Sequence, residues 1–368
     1  MKKIAYVGID YHVKTVTIAV YLNDGKKFLE TTRLNNDDKI IAKFMKRLSK
    51  LFDLKICYEA SGSGYTFQRK MHALGFHCDV IAPSLAPRKP GDRRKNDFRD
   101  AKRLAQHYAG GLLTVVHPPT QEEESVRSLI RCRFAFKQTI KRTKQQINSL
   151  LLSQDQYWKK SKWTHQHRLW LKSIELPLPH LQLVLHEYLA HLDYVESRLQ
   201  HIDIQIESLA ESEIYAPSVK KLRALRGIGT LTAMVLIAEI TDFRRFASPR
   251  ALMAFLGLIP GEDDSSERRR PCAITKAGNH RCRTLLVEAA QHYGRKPCVS
   301  YSQKRTLAHV DGHTSAVAMK CMQRLHKRYW YLVLKGKTKQ KAVVAVAREL
   351  VGFIWALMKE PDQIPVAV

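Results

Sequence analysis

Three things are scarce in this 368-residue chain. Acid is one: 34 Asp and Glu stand against 62 Lys and Arg, a formal net charge of +28. That excess argues against the usual cytosolic enzyme of small molecules. It points to a phosphate polymer, whose counterions are released as each phosphate is neutralised. The cations are not gathered on one amphipathic helix, which argues against a membrane-surface protein. Paired cysteine is the second scarcity. Cys57, Cys78, Cys132, Cys272, Cys282, Cys298 and Cys321 include no Cys-x-x-Cys, so neither a zinc knuckle nor a secreted disulfide framework is expected. Cys57 sits in an apolar strand pattern and is expected in the core. Long apolar runs are the third. The best, Ala342 to Leu357, is broken by Arg348 and Glu349 and does not read as a membrane span. The first residues carry two lysines, but their apolar run is short and contains Asp10, so they read as a strand rather than a signal. No Gly-x-Gly-x-x-Gly follows that strand, and Gly62-Ser63-Gly64 is too short a match, which argues against a dinucleotide-binding fold. With 45% hydrophobic residues the chain is expected to be globular, soluble and intracellular.

What is present is ordered. Residues 4–9 and 15–22 repeat Val and Ile around a short polar gap and read as a hairpin, with 27–34 as a third strand. Asp37 to Leu51 has helical spacing through Ile40, Ile41, Phe44, Met45 and Leu48. Lys55 to Tyr58 is a short buried strand ending at Glu59, 64–74 is helical, and Cys78 to Ala82 is another strand. A basic, Pro-rich loop from Pro83 to Arg94 leads to a helix opened by Asn96 or Asp97. Antiparallel strands followed by alternating helix and strand fit an α/β domain of the RNase H-like type. From Glu122 the pattern turns helical. Val126, Leu129, Arg133, Phe136, Ile140, Thr143, Ile147 and Leu150 form one apolar series. Leu185, Tyr188, Leu192, Val195, Leu199, Ile202, Ile206 and Leu209 form a second, cleaner one. Either the two helices pack on each other within one chain, or they pair between chains as a coiled coil. Gln154 to His180, rich in Trp, His and Pro, reads as a connector. Near Ala216 a third region begins. There Gly227-Ile228-Gly229 ends one helix and launches another, as a helix-hairpin-helix that offers N–H groups to phosphate or as an ordinary tight turn. The expected domains are 1–117, 118–215 and 216–368.

Four carboxylates carry the candidate chemistry. Asp10 and Glu59 end apolar strands, where an isolated buried acid is too costly to stand alone. Asp97 and Asp100, three apart, share one face of a helix. Converging, the four suit two Mg²⁺ ions held roughly 3.5–4 Å apart, activating one oxygen and stabilising another. Arg88, Lys89, Arg93, Arg94, Lys95 and Arg99 border the helix start and would hold phosphates there. A second cluster runs from Gly257 through Ser265, Ser266, Arg268, Arg269 and Arg270 to Lys276 and His280. A polar surface loop with two serines means little by itself.

These motifs together resemble the IS-one-ten family of insertion-sequence transposases, the DEDD transposases. The N-terminal match is Gly8-Ile9-Asp10, Glu59-Ala60-Ser61-Gly62, and Pro90-Gly91-Asp92 to Asp97-Phe98-Arg99-Asp100-Ala101. The C-terminal match runs from Leu225-Arg226-Gly227-Ile228-Gly229 through Phe255 to Pro260, then Ile274-Thr275-Lys276-Ala277-Gly278-Asn279. The resemblance implies a RuvC-like first domain, with Mg²⁺ on Asp10, Glu59, Asp97 and Asp100, and a serine-bearing transposase domain at the C-terminus. The family's nucleophilic serine falls on Ser265, and Ser266 stands where the family usually has glycine. A Cys-Ala pair replaces common Arg or Gly positions before Ile274. Implied in turn are strand exchange through a phosphoserine–DNA intermediate, Arg268, Arg269, Arg270 and Lys276 around the reacting phosphate, and element ends and target DNA as partners. A structured non-coding guide RNA, a homodimer or homotetramer, and a cytoplasmic place at the bacterial nucleoid are further implications. The rival readings are a Holliday-junction-like, structure-selective Mg²⁺ nuclease in which the serine is incidental, and a non-catalytic architectural binder.

Overall fold

The computed structural model describes residues 2–60, 62, 64–83, 96–265 and 268–359, without the side chains of 262–265, 268–271 and 302. The chain divides into two compact units, Met1–Pro119 and Thr120–Val368.

In the first unit, β-branched runs form β1 (Lys3–Tyr11), β2 (Thr15–Leu22) and β3 (Lys27–Asn35), an antiparallel meander. β4 (Phe52–Glu59) lies parallel to β1, and β5 (Cys78–Ile81) parallel to β4. A short β6 (Val115–Val116), absent from the sequence expectation, pairs antiparallel with β5 and completes the order β3-β2-β1-β4-β5-β6. Parallel neighbours need crossovers, supplied by α1 (Asp38–Leu51) and α2 (Thr66–Ala73). Both pack on one face of the sheet, where Ile41, Met45, Phe67 and Met71 share a core with Val7, Ile9, Val16 and Ile18.

The other face is covered by α3 (Asp97–Ala109). Ala101 and Ala105 pack with Ala19 and Tyr21, and Leu104 packs with Cys57 and Ile81. This helix lies unusually close to β1 because residue 8 has no side chain. A Cβ there would fall 2.4 Å from both the Ala101 carbonyl oxygen and the Ala105 nitrogen. Gly8→Ala must push α3 off the sheet, so a loss of about 1–3 kcal/mol in urea unfolding is expected. An unchanged midpoint would contradict this account of the contact.

The second unit opens with α4 (Gln121–Ser153), begun by a capping box in which Thr120 and Glu123 satisfy each other's backbone N–H groups. α6 (Pro179–Ala210) runs antiparallel to it. Arg133 pairs with Asp203 and Lys144 with Glu196, while Ile140, Ile147 and Leu151 share a core with Leu185, Leu192 and Val195. The two apolar seams therefore meet inside one chain. The stretch expected as a connector contains a further helix, α5 (His165–Ser173), capped by Thr164. Trp158, Trp163 and Trp170 crowd the His167 ring at 5.6, 5.1 and 5.5 Å.

The rest is α7 (Ala216–Ala224), α8 (Thr230–Ile240), α9 (Pro249–Phe255), the hairpin β7 (Pro260–Ser265) and β8 (Arg268–Ile274), and then α10 (His280–Ala290), α11 (Tyr301–Leu307), α12 (Gly312–Leu334) and α13 (Lys339–Lys359). Val126 and Ile130 of α4 and Ile206 of α6 belong to the same core as α8, α10, α12 and α13. The apolar C-terminal helix packs internally: Ile354 is buried and Trp355 Nε1 donates to the Phe246 carbonyl at 2.9 Å. Among the described residues no helix is long and apolar enough to cross a membrane.

Candidate active site

In the first unit the register decides which acids meet. Gly8 pairs with Cys57 and Ile9 with Tyr58 on the parallel strands, so Asp10 and Glu59 fall next to each other at the two strand ends. Side chains alternate along a strand, which puts both acids on the face of Gly8 and Cys57, the face α3 covers. Thr17 is paired with Asp10 across β2, and Arg33 with Thr17 across β3, so these two lie in the same row. The Gly8 contact then sets the height of α3, whose first turn carries Asp97 and Asp100. Asn96 starts that helix by accepting the Phe98 N–H at 2.9 Å. Acids in a first turn also face the favourable end of the helix dipole.

The side chains that converge are Asp10, His12 and Asp97, with ligand atoms all within 4.8 Å of one another. His12 Nε2 stands 3.5 Å from Asp10 Oδ2 and 3.6 Å from Asp97 Oδ1. Arg33 ion-pairs with Asp97 and lies over the Phe98 ring. Asp100 accepts from Arg103 at 2.7 Å. Glu59 stays outside the 4.8 Å group at its strand end. Asp10 Oδ2 is buried with no hydrogen-bond partner among the described residues, as is Thr17 Oγ1. Burial raises the Asp10 carboxyl above the usual range; the charges of Asp97 and Asp100 push the same way, against His12. A buried carboxylate oxygen near like charges, with His12 no closer than 3.5 Å, is costly in isolation. The donor set is mainly carboxylate and fits a hard divalent cation, which would relieve that cost. Sequence reading missed His12 and Arg33. His12 is two residues beyond Asp10, a spacing that could have flagged it; Arg33 becomes legible only once β3 is in register.

In the second unit the expected polar loop is a β-hairpin. Ser265 pairs with Arg268, Asp264 with Arg269 and Asp263 with Arg270. Glu262 pairs with Pro271 in the same register, so two of the three acid positions lie opposite arginine positions. Ser265 ends β7, at the tip of the hairpin. Ser266 lies outside the described residues, as do Arg88, Lys89, Arg93, Arg94 and Lys95. Lys276 is exposed just past β8, in a left-handed conformation (φ 54°), its N–H donating to the Gly257 carbonyl at 3.2 Å. The α7–α8 turn uses its two glycines differently. Gly227 has φ 84° and a Cβ there would meet the Ala289 carbonyl oxygen at 2.5 Å, so it serves packing on α10. Gly229 caps α8, exposed and with open space around it.

The second unit also holds a buried acid that the sequence did not single out. Glu239, with 1% of its side chain exposed, accepts from Arg131 Nε and Nη2 at 2.9 Å each. It also accepts from Asn279 Nδ2 at 2.8 Å. Asn279 in turn caps α10 through its Oδ1. Burial pushes the Glu239 carboxyl up, but the hydrogen bonds and charge of Arg131, aided by Asn279 and Arg127, outweigh it and hold the group below the usual range. The resulting stability is present above the ordinary glutamate pKa and is lost as pH falls through the lowered one. Glu239→Ala should cost about 2–4 kcal/mol at neutral pH, discounted for the half-exposed Arg131. Urea melts should show that deficit shrinking as pH falls through the acid range. A deficit that does not vary with pH would contradict the assignment.

A family model described simply as a transposase, of the DEDD type, matches residues 7–154. One described as the transposase IS116/IS110/IS902 family matches residues 219–303. Over 98% of its length the chain is 36% identical to a putative transposase, y4qE, of Sinorhizobium fredii, covering 90% of that protein. It is 31% identical over 92% of its length to the transposase for insertion sequence element IS1533 of Leptospira borgpetersenii, covering 99% of it. With the transposase for IS1111A of Coxiella burnetii it shares 23% identity over 98% of the chain and 92% of the relative.

Proposed function

The chain belongs to the IS116/IS110/IS902 transposase family, and on that premise we propose that it exchanges DNA strands through a phosphoserine–DNA intermediate. Ser265 is the attacking residue, and Asp10, Glu59, Asp97 and Asp100 are the carboxylates that serve Mg²⁺. The observation that carries the reading is the buried Asp10 oxygen, 3.5 Å from His12 and otherwise without a hydrogen bond among the described residues, grouped with Asp97. The sheet order, with its antiparallel start and parallel continuation, supports an RNase H-like, RuvC-like first unit.

In the proposed step the Ser265 oxygen bonds to the scissile phosphorus and gives up its proton. The bond from phosphorus to the leaving deoxyribose oxygen breaks, and that oxygen takes a proton. Bound Mg²⁺ supplies Lewis-acid stabilisation of charge on the phosphoryl oxygens. Arg268, Arg269, Arg270 and Lys276 bring positive charge to the hairpin that bears the serine, countering the charge that grows in the transition state. The serine ester keeps the energy of the phosphodiester, so a second DNA hydroxyl can attack it and join a new strand without a further energy source. Gly229, at the open start of α8, and the basic segment around Arg88, Lys89, Arg93, Arg94 and Lys95 are the proposed backbone contacts.

The choice of sequence is proposed to rest on a structured non-coding RNA that pairs with element-end and target DNA, leaving shape and backbone to the protein. The net charge of +28 suits such an RNA–DNA assembly. Purification under native conditions should yield a discrete transcript, identified by sequencing the bound RNA. Random fragments alone would contradict guidance. Strand joining on a plasmid carrying the element ends tests the activity itself. It should require both magnesium and that transcript, and joining that survives chelation would contradict the role of the acids.

A further inference from the structure

A cavity of about 530 Å³ opens beside the base of the serine hairpin, between β7–β8 and the α12–α13 turn. Its apolar lining comes from Leu258, Ile274, Leu332 and Val344. The charged groups are Lys337, Lys341 and Arg348, the polar ones Gln340 and the Cys272 thiol, and among the described side chains no acid lines it. Among the described residues none of the three cations has an ion-pair partner, whereas Arg324 and Arg328, on the same pair of helices, both engage Glu349. The cations are also placed against local preference. Lys337, Lys339 and Lys341 crowd the start of α13, whose first turn holds no acid, although the helix dipole disfavours positive charge there. A local rule broken at a surface cavity is expected where a ligand supplies the missing charge.

We propose that this cavity seats one unpaired nucleotide of the DNA strand handled by the hairpin. The base and sugar would enter the apolar part, and the flanking phosphates would meet Lys337, Lys341 and Arg348. A paired duplex offers only its charged backbone to such a surface and leaves the apolar floor unused, whereas an unpaired nucleotide uses both. The volume suits a ligand of that size. Five residue steps of β7, about 17 Å at strand rise, separate the cavity wall at Pro260 from Ser265. That span is about five stacked nucleotides, close enough for one strand to lie along both. The site would hold a DNA end in place while its former partner strand departs. This inference rests on the reading of Ser265 as the residue that takes the DNA end.

Cys272 provides the test. It lines the cavity, and the exposed cysteines of the chain are Cys132, Cys272 and Cys298. In a Cys132→Ser/Cys298→Ser/Ser265→Ala protein, maleimide alkylation of Cys272 is followed in magnesium-free buffer with saturating single-stranded DNA of twelve nucleotides. Binding is checked in parallel by anisotropy. Single-stranded DNA is expected to slow alkylation at least tenfold, the matching duplex far less. Adding Lys337→Gln, Lys341→Gln and Arg348→Gln should restore the unprotected rate with no change in melting temperature. The proposal is overturned by absent binding, by bound DNA that leaves the thiol unprotected, or by equal protection from duplex. Protection by RNA alone, or protection that survives the triple substitution, overturns it as well. The assay uses neither metal nor the serine hydroxyl, so failure of the phosphoserine chemistry would not disturb its outcome.

Discussion

A Ser265→Ala protein is expected to form no covalent protein–DNA product and to lose strand exchange by about 10³-fold or more, because it removes the group that begins the reaction. DNA and RNA binding should be unchanged, since one hydroxyl contributes little to an affinity dominated by cations. Ser266→Ala should keep most of the activity. Two results would count against the account. If cutting persists at the parental rate in Ser265→Ala with magnesium present, water activated by the acids is the nucleophile and the chain acts as a structure-selective nuclease. If Ser266→Ala is the dead variant instead, the attacking residue is misplaced by one position.

The second large effect is expected at Asp10. Asp10→Asn should reduce strand exchange by about 10²–10⁴-fold, the range seen when a group that organises transition-state charge is removed, while DNA binding stays near normal. The same substitution should raise the melting temperature of the metal-free protein. Burial and the charges of Asp97 and Asp100 disfavour the ionised Asp10 carboxyl in the metal-free parent, against the contribution of His12, and the amide removes that charge. The sign follows from the raised folded-state value. The folded protein binds the Asp10 proton more tightly than the unfolded chain, so ionisation destabilises the fold as pH rises past the ordinary aspartate range. Magnesium should therefore stabilise the parent and have a much smaller effect on Asp10→Asn in a thermal shift. Equal magnesium shifts in both proteins would place the ion elsewhere.

Much of this was legible beforehand, and the exceptions have physical reasons. β1, β2 and β4 announce themselves as apolar runs, and Asp10 and Glu59 mark the ends of the first and last of them. The row Arg33–Thr17–Asp10–Glu59 was not legible as a row, because register between strands distant in sequence is fixed by pairing, not by any local pattern. The contribution of Gly8 emerges only when α3 is seen to rest on it. α5 was hidden because Trp, His and Pro give no clean helical period, and its aromatic rings pack on His167 rather than in a stripe. The β7–β8 hairpin was read as a loop because Glu262, Asp263 and Asp264 are poor strand formers, and their register against Arg268 to Ile274 is no local pattern. The seams on α4 and α6 were plain, but an apolar stripe looks the same whether its partner is in the same chain or another. Only the Arg133–Asp203 pair and the shared core settle that the two helices pair with each other. Glu239 had no signal at all: an acid ending an apolar helix is unremarkable until Arg131 and Asn279 arrive from 108 and 40 residues away.

The central claim is chemical, and one measurement addresses it directly. The protein is stopped during strand exchange under denaturing conditions, digested with protease and nuclease, and its modified peptides are sequenced by mass spectrometry. The account predicts a nucleotide phosphate attached to the oxygen of Ser265, absent when magnesium is withheld and absent from Asp10→Asn. Exchange that proceeds with no protein-linked nucleotide, or with the nucleotide on a residue outside the hairpin, would contradict it.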